Sequence, residues 1–428
     1  MKACELYDKI MLGHADASLR ELYGADGAAL EKYRTRTGQA VKRFSELYGN
    51  REAMLFSVGG RSEISGNHTD HNCGRVLCAA VDLDIIAVAS TTDDGVITVK
   101  SEGFEADTVF PGDIAEPCEK KYFTSEAIIA GMEKAFIDRG FKVGGFAAYT
   151  VSDVFKGSGL SSSVAFEVMI GNILNHMYNG GTVDNVEIAK AAQFAENVYF
   201  GKPCGLMDQT ACAVGGFTAI DFENPASPVI EKIDFDLSRN GYGLCIVDTG
   251  ASHADLNEDY AAVPAEMKAV AKLLGRRVLR ECSEEEIIAK ASEIRAVEGD
   301  RALLRALHFT AENRRVADQT EALKRGDTSA FLEGVLESGR SSFCYLQNVY
   351  APKCTGEQSL SLALCLTERF LEGRDAAWRV HGGGFAGTIQ AFVPVSFIPE
   401  YKKRIEAVFG KNSCHVLKVR AAGAVRII

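Results

Sequence analysis

The chain has 428 residues, a net charge of -11, and 46% hydrophobic and 25% charged residues. This composition is typical of a soluble globular protein, and the length exceeds one ordinary hydrophobic core, so two domains are predicted. The negative charge argues against nucleic acid as a partner. No segment approaches the ~18 apolar residues of a membrane span and no signal peptide is recognisable, which predicts a cytoplasmic protein without a membrane partner.

Helical and strand-like segments alternate along the chain. Residues 28–48 have apolar side chains at helical spacing inside a polar, helical extension over residues 1–50. Strands then dominate until helices are predicted over residues 124–139, 164–178 and 186–200. The sequence Asn-Pro-Ala-Ser-Pro at 224–228 indicates a linker. A strand at 243–247, a charged helical block over 262–340, a helix at 360–371 and closing strands follow. The predicted units are therefore 1–50, 51–223 and 229–428.

Twelve cysteines are scattered singly, with no C-x-x-C pair. A zinc site is therefore disfavoured, and the pattern indicates reduced thiols that are mostly buried.

The most informative segment runs from residue 157 to residue 163 and reads Gly-Ser-Gly-Leu-Ser-Ser-Ser. A strand-like stretch at 146–151 precedes it and an apolar, helix-like run follows. Small residues let successive backbone N–H groups converge on an anion, and the positive end of the next helix adds attraction. This pattern indicates a phosphate-binding loop. Alone, it is equally typical of a turn that caps a core helix.

Two further glycine-bounded segments carry polar groups. Residues 60–74 read Gly-Arg-Ser-Glu-Ile-Ser-Gly-Asn-His-Thr-Asp-His-Asn-Cys-Gly and precede apolar runs at 76–81 and 85–89. Residues 381–387 read His-Gly-Gly-Gly-Phe-Ala-Gly. Their glycines match the G-x-G-x-x-G spacing of dinucleotide-binding proteins, but a strand-like sequence follows where that motif requires a helix. A glycine-rich hairpin is the better interpretation, and a dinucleotide oxidoreductase is a weak alternative.

In this order, the three segments resemble those of the GHMP small-molecule kinases and, within them, the galactokinases. Residues 60–72 resemble the signature Gly-Arg-Val-Asn-Leu-Ile-Gly-Glu-His-Thr-Asp-Tyr-Asn, and residues 159–164 resemble the ATP-binding Gly-Leu-Ser-Ser-Ser-Ala loop. Residues 382–387 resemble Gly-Gly-Gly-Phe-Gly-Gly. A fourth segment, 195–209, resembles the stretch with the family's catalytic aspartate. The resemblance implies an α/β, two-lobed GHMP kinase fold. Its N-terminal lobe would have a mixed sheet and helices, its C-terminal lobe would be α+β, and the active site would lie in the cleft between them.

The resemblance also implies roles in phosphoryl transfer from ATP to a sugar hydroxyl. Asp208 and Arg61 would be catalytic, and Ser163 and Glu196 would hold Mg²⁺, which prefers oxygen ligands. The nucleotide would contact Gly157, Ser158, Gly159, Leu160, Ser161, Ser162, Ser163, Gly383 and Gly384. Structural alternatives are a solvent-facing Glu196, an Asp208 that caps a helix, and an Arg61 in a surface ion pair.

The sugar-binding residues implied by the family are Asn67, His68, Asp70 and, from a looser match, Tyr260, with His253 a weaker candidate. Two positions depart from the Glu-His-Thr-Asp-Tyr run of the galactokinases: Asn67 replaces the glutamate and His71 replaces the tyrosine. An amide does not repel an anionic substrate, so galacturonate or another C6-modified sugar is the alternative to galactose. If the substrate is galactose, we expect Asn67→Glu to preserve or improve its phosphorylation. A non-catalytic, ligand-dependent sensor is a further alternative, and a monomer is expected.

Overall fold

A computed structural model of the chain describes residues 1–154, 159–251, 256–353 and 356–428. The α-helices are α1 (Ala3–Met11), α2 (Asp16–Tyr23), α3 (Gly27–Tyr48), α4 (Ser125–Asp138), α5 (Ser162–Tyr178), α6 (Asn185–Phe194), α7 (Met207–Val214), α8 (Asn257–Leu273), α9 (Glu284–Ala289), α10 (Ala291–Val297), α11 (Gly299–Lys324), α12 (Thr328–Ser341), α13 (Ser359–Leu371) and α14 (Ile398–Phe409). The strands are β1 (Met54–Ser65), β2 (Arg75–Thr91), β3 (Ile97–Ser101), β4 (Ala106–Val109), β5 (Phe146–Ser152), β6 (Phe217–Asp221), β7 (Val229–Ile233), β8 (Tyr242–Asp248), β9 (Ala377–Val380), β10 (Thr388–Pro394), β11 (Cys414–Leu417) and β12 (Val425–Arg426). The helices and strands predicted from the sequence coincide with these elements to within a few residues.

The larger sheet has the strand order β12-β1-β2-β5-β3-β4, and β6 pairs with both β2 and β7. All of its pairings are antiparallel except β3 with β5. The 17-residue β2 pairs with β6 along its first part and with β5 along its second. One long apolar strand therefore connects both halves of the sheet.

Both faces of the larger sheet are covered, which explains why β1 and β2 are buried along almost their whole length. Because side chains alternate along a strand, Phe56 and Ala87 face one core, shared with α4 to α7, while Leu55, Ile86 and Val88 face another. This second core is completed by the three N-terminal helices. The N-terminal extension thus supplies the cover for the second face of the sheet.

A buried ionic network fastens the extension to the sheet. The carboxylate of Asp84 accepts hydrogen bonds from Tyr23 Oη at 2.6 Å, Arg36 Nη1 at 2.6 Å, Arg420 Nη1 at 3.3 Å and Ser57 Oγ. Burial alone would raise the pKa of Asp84, but the two arginines and the hydrogen bonds lower it below the ordinary value. Asp84 is therefore a buried, ionised carboxylate whose charge is compensated by two arginines and two hydroxyl groups.

The smaller sheet has the antiparallel order β11-β8-β10-β9. Helices α8 to α12 occupy the charged block predicted between residues 262 and 340, and α13 and α14 pack on this sheet. The described chain thus has two sheets, each covered by its own helices, as the prediction of a two-lobed α/β fold requires. Among the residues that the structure describes, no helix is long and apolar enough to cross a membrane.

The segment predicted as a linker has a different role. Residues 224–228 form the turn of a hairpin in which β6 and β7 pair from Phe217↔Ile233 to Asp221↔Val229. Strand β12, near the end of the chain, also joins the larger sheet through β1. The predicted boundary at 223/229 therefore does not coincide with the change from one sheet to the other, because Pro and Asn mark a tight turn as readily as a linker.

Candidate active site

A cavity of about 260 Å³ lies where the end of β1, the segment before α7 and the β9–β10 turn meet. It is rich in charged groups of both signs. Its walls are formed by Arg61, Glu63, Asn67, His68, Asp70, His71, Lys202, Pro203, Cys204, Gly205, Met207, Asp208, Gln209, Gly382 and Gly383. Three of the four segments singled out in the sequence thus line the same cavity.

The loop between β1 and β2 owes its shape to its glycines. Gly66 has φ +96°, and a Cβ there would lie 2.5 Å from the carbonyl oxygen of Arg75. His68, the second residue after it, also has a positive φ of 60°, which is uncommon for a residue with a side chain. These two turns bring the polar residues 67–71 back against the cavity.

Arg61 and Asp208 form a bidentate ion pair at the cavity wall. Arg61 Nε donates to Asp208 Oδ1 at 2.8 Å and Arg61 Nη2 donates to Oδ2 at 2.6 Å. The side chain of Asp208 is 29% exposed and that of Arg61 only 9%, so the carboxylate is the member that faces the cavity more openly. The pair joins β1 to the first turn of α7 across 147 residues of chain.

The surroundings keep Asp208 ionised. Burial would raise its pKa, but the charge and hydrogen bonds of Arg61 and a hydrogen bond from Ser161 Oγ at 2.7 Å lower the pKa below its ordinary value. A carboxylate held in this way accepts hydrogen bonds well and is a weak base.

The described part of the predicted phosphate loop packs on this pair. Arg61 Nη1 donates to the carbonyl of Gly159, and the backbone N–H of Arg61 donates to the carbonyl of Leu160 at 3.1 Å. Ser161 adopts a left-handed conformation, with φ +57°, directly before α5. Gly157 and Ser158 lie outside the described residues.

The N-terminus of α5 is suited to an anion. Its first turn contains no acidic residue, and the side chain of its N-cap, Ser161, bonds to Asp208 and does not cap the helix. Among the described residues, backbone N–H groups of the first turn are therefore left without a side-chain acceptor. Ser162 is half-buried and Ser163 is exposed at this end. These features are those of a phosphate site.

The glycine-rich segment forms the turn between the antiparallel strands β9 and β10, which confirms the hairpin interpretation. The carbonyl of Gly383 accepts hydrogen bonds from His68 Nε2 at 2.9 Å and Asn348 Nδ2 at 3.1 Å. The carbonyl of Gly384 accepts one from Tyr260 Oη at 2.7 Å. Among the described residues, the side chains that bond to Gly383 and Gly384 come from residues 60–74 and from the C-terminal lobe. None comes from residues 159–163.

The remaining predicted sugar residues differ in how freely they face the cavity. Burial lowers the pKa of His68 to about 4, so its neutral ring donates from Nε2 to Gly383. Asp70 is 19% exposed and lines the cavity, where a Cβ on Gly205 would lie 2.8 Å from its Oδ2. Tyr260 contacts Phe385 edge to face and does not belong to the cavity wall. His253 lies outside the described residues.

A Mg²⁺ ion is compatible with the oxygen donors near α5. Glu196 is buried, and its carboxylate accepts from Lys202 Nζ at 2.9 Å and Gln209 Nε2 at 2.8 Å. Glu167 is buried close by, and neither of its carboxyl oxygens has a hydrogen-bond partner among the described residues; burial and the charge of Glu196 raise its pKa. Unpaired hard oxygen donors beside a buried carboxylate suit Mg²⁺, which commonly takes only one or two protein ligands and completes its shell with phosphate and water.

Several cavity residues were not among the sequence-based candidates: Glu63, His71, Lys202, Pro203, Cys204, Gly205, Met207, Gln209 and Gly382. Most belong to the segment 195–209, from which only the two carboxylates Glu196 and Asp208 had been selected. Glu63 was detectable, because the family signature has an asparagine at that position.

Comparison with known proteins identifies the family. The model of the GHMP kinases N terminal domain matches residues 125–216, and that of the galactokinase galactose-binding signature matches residues 42–91. The galactokinase of Streptomyces coelicolor is 31% identical over 400 residues, covering 91% of this chain and 98% of that protein. Human galactokinase is 30% identical over 401 residues, covering 90% of this chain and 95% of the human protein.

The fold agrees with these relationships and confirms the predicted two-lobed GHMP kinase fold. The crystal structure of Lactococcus lactis galactokinase complexed with galactose superposes with a TM-score of 0.76 at 21% identity, covering 92% of this chain and all of that chain. The Methanococcus jannaschii mevalonate kinase gives a TM-score of 0.60 at 16% identity, with 86% and 98% covered. The chain belongs to the galactokinase family of the GHMP kinases.

Proposed function

We propose that this protein is an ATP-dependent galactokinase, which converts galactose and ATP to galactose 1-phosphate and ADP. The observation that carries the proposal is the Arg61–Asp208 ion pair, which lines a sugar-sized polar cavity and also contacts the phosphate loop. Relatives that cover most of the chain are galactokinases, and one structural neighbour holds galactose. These facts support a sugar acceptor in the cavity.

In this proposal Asp208 orients the nucleophile. Its ionised carboxylate accepts a hydrogen bond from the C1 hydroxyl of the sugar. Since the pKa of Asp208 is lowered, the proton transfers late, when the forming oxygen–phosphorus bond has made the hydroxyl acidic. Arg61 holds the carboxylate and offsets the negative charge on the moving phosphoryl group. Catalysis then rests on positioning and electrostatic stabilisation.

The N-terminus of α5 and the loop over residues 157–163 would bind the phosphates of ATP. Ser163 and Glu196 would hold Mg²⁺, which neutralises phosphate charge when it is bound. Lys202 adds a further cation on the cavity side of Glu196. We retain Gly383 and Gly384 as proposed nucleotide contacts, although their hydrogen bonds support a primary role in shaping the sugar site.

A neutral sugar suits the cavity better than a sugar acid. The absence of a glutamate at position 67 favours galacturonate when the motif is considered alone. In the cavity, however, the carboxyl groups of Glu63, Asp70 and Asp208 lie together and outnumber the two cations, Arg61 and Lys202. A substrate carboxylate among them would meet like charge in a partly desolvated site, which is unfavourable.

An assay with purified protein tests the proposal. ADP release is measured with ATP and galactose, galacturonate, galactosamine or arabinose, and the phosphorylated carbon is assigned by NMR. We expect the highest kcat/KM with galactose and phosphorylation at C1. Turnover of galacturonate without turnover of galactose would establish the sugar-acid kinase instead. Binding of galactose and MgATP without ADP release would establish a sensor.

We also propose a monomeric, cytoplasmic enzyme with a helical extension over residues 1–50, an N-terminal lobe over 51–223, whose sheet also takes up β7, and a C-terminal lobe over the rest of 229–428. Free cysteines throughout the described chain support a reducing compartment. Sedimentation analysis tests the oligomeric state.

A further inference from the structure

A carboxylate and an amide have exchanged places in the motif at residues 60–74, compared with the family signature. The family signature quoted above has asparagine at the position of Glu63 and glutamate at the position of Asn67. The motif therefore keeps one carboxylate and one amide, with their order along the chain reversed. Whether the carboxylate can still reach the sugar depends on where the two side chains lie.

The two side chains are in direct contact at the cavity wall. Asn67 Nδ2 donates a hydrogen bond to Glu63 Oε1 at 2.9 Å, and both residues line the cavity. The exchange therefore moves the negative charge from position 67 to the neighbouring side chain, Glu63, in the same wall of the cavity. It does not remove the charge from the site.

Asn67 has no hydrogen-bonding capacity left for a substrate. Its Nδ2 donates to Glu63 and to the carbonyl of Gly382 at 2.7 Å. Its Oδ1 accepts from Asn348 Nδ2 at 2.7 Å and from Ser342 Oγ at 3.3 Å. An amide has two N–H donors and two acceptor lone pairs, and here all four are used in a residue that is 0% exposed. Asn67 is held as a structural element of the wall.

Only one of the two carboxyl oxygens of Glu63 accepts hydrogen bonds from the described residues. Its Oε1 accepts from Asn67 and from Arg379 Nη2 at 3.3 Å. Its Oε2 accepts no hydrogen bond from any part of the chain that the structure describes, while the residue lines the cavity. Burial raises the pKa of Glu63 to about 7, with Arg379 and Arg61 opposing the rise and the charge of Asp70 adding to it. This carboxyl group therefore has an unused acceptor beside the space where the sugar would lie.

We propose that Glu63 is a sugar-specificity residue of this enzyme, whose Oε2 accepts a hydrogen bond from one hydroxyl of the substrate, and that Asn67 is the positioning residue that holds Glu63. The inference rests on the proposed function, since it assumes a sugar in this cavity. It assigns to Glu63 the recognition that sequence analysis had assigned to Asn67.

The proposal reverses the expectation for Asn67→Glu. Asn67 Nδ2 now donates to Glu63 and to the carbonyl of Gly382. The new carboxylate has no N–H donor, so its oxygens would face these two acceptors and repel them. We expect kcat/KM for galactose to fall about a hundredfold or more. The double variant Glu63→Asn/Asn67→Glu, which restores the order of the family signature, should recover most of the loss. A single Asn67→Glu variant as active as the parent, or a double variant no more active than the single variant, would overturn the proposed roles of Glu63 and Asn67.

A deoxy-sugar panel tests Glu63 directly. kcat/KM is measured for galactose and for its 2-, 3-, 4- and 6-deoxy analogues with the parent and with Glu63→Gln. Loss of a hydrogen bond to a charged acceptor should lower galactose kcat/KM by about ten- to a hundredfold, with KM for ATP within about twofold. The parent's discrimination against one analogue, the one that lacks the bonded hydroxyl, should shrink in the variant.

Glu133→Gln is the matched control. Glu133 is also a buried glutamate whose pKa is raised to about 7 by burial, but it lies in α4 and does not line the cavity. Its variant should keep the parent's discrimination across the panel. If Glu63→Gln lowers kcat/KM for all five sugars by one common factor while the parent phosphorylates galactose, Glu63 is structural and this inference alone fails. If the parent does not phosphorylate galactose, the proposed function fails and the inference fails with it.

Discussion

Replacing Asp208 by asparagine should remove most of the catalytic activity and leave nucleotide binding nearly intact. The carboxylate accepts three hydrogen bonds, two from Arg61 and one from Ser161. The isosteric amide can keep one acceptor, Oδ1. Its Nδ2 would face donors, because Oδ2 accepts from both Arg61 Nη2 and Ser161 Oγ. At least one donor to that position therefore loses its acceptor.

Two costs follow from this geometry. Arg61, which is 8% exposed, keeps its charge but loses its anionic partner, and breaking a buried pair costs up to about 3–5 kcal/mol of folding stability. The cost should lie toward the lower end because one hydrogen bond survives. In catalysis, loss of orientation and of the proton acceptor should reduce turnover by about a hundred- to ten-thousandfold, or about 2.7–5.4 kcal/mol of barrier at ~1.36 kcal/mol per tenfold.

The assay compares kcat for ADP release at saturating galactose and MgATP with the dissociation constant of MgATP from calorimetry. Asp221→Asn is the matched control. Asp221 pairs with Arg75 at 2.7 Å and Arg280 at 3.0 Å, is 21% exposed, and does not line the cavity. Its variant should lose stability while keeping kcat within about twofold. A folded Asp208→Asn protein with kcat within a few fold of the parent would refute the catalytic role of Asp208.

Three further outcomes are expected. Ser163→Ala should raise the Mg²⁺ concentration needed for half-maximal activity, because one oxygen ligand is lost; superimposable Mg²⁺ titrations of parent and variant would reject this ligand. Since the folded pKa of Asp84 is depressed, its contribution to stability is present above the unfolded pKa near 4 and is lost as pH falls through the folded value. Asp84→Asn should therefore lower the free energy of unfolding at pH 7 by about 3–5 kcal/mol, because Arg420 loses its carboxylate partner and Arg36 keeps only Asp153. Denaturant titrations between pH 7 and pH 3 should show a flatter acid decline than in the parent. With the pKa of Glu63 at about 7, kcat/KM for galactose should fall as pH falls through 7, and a pH profile of Glu63→Gln that keeps this limb would assign it to another group.

Local sequence patterns were sufficient for the elements and for the segments that line the cavity, 60–74, 195–209 and 381–387. The pattern around residues 157–163 indicated a loop before a helix, and α5 begins at Ser162. The strand-like sequence after residue 387 argued against a dinucleotide motif, and β10 begins at Thr388. Such predictions succeed because turn chemistry and side-chain periodicity act over a few residues. The same local signal failed at 224–228, where a hairpin turn and a linker require similar residues.

What the sequence by itself determined was therefore the set of segments, their order and the family they resemble, which named Arg61 and Asp208 as catalytic candidates. Only the tertiary structure decided what each side chain can do. Asn67 is saturated by Glu63, by Gly382, by Ser342 and by Asn348, which lies 281 residues further along the chain. Among the described residues, Oε2 of Glu63 is left as the unused acceptor of the pair. The N-terminal helices acquired a role only when the second apolar face of β1 and β2 was seen to pack beneath them. Hydrogen-bonding capacity and burial depend on which distant groups are in contact, and that information is absent from any short stretch of sequence.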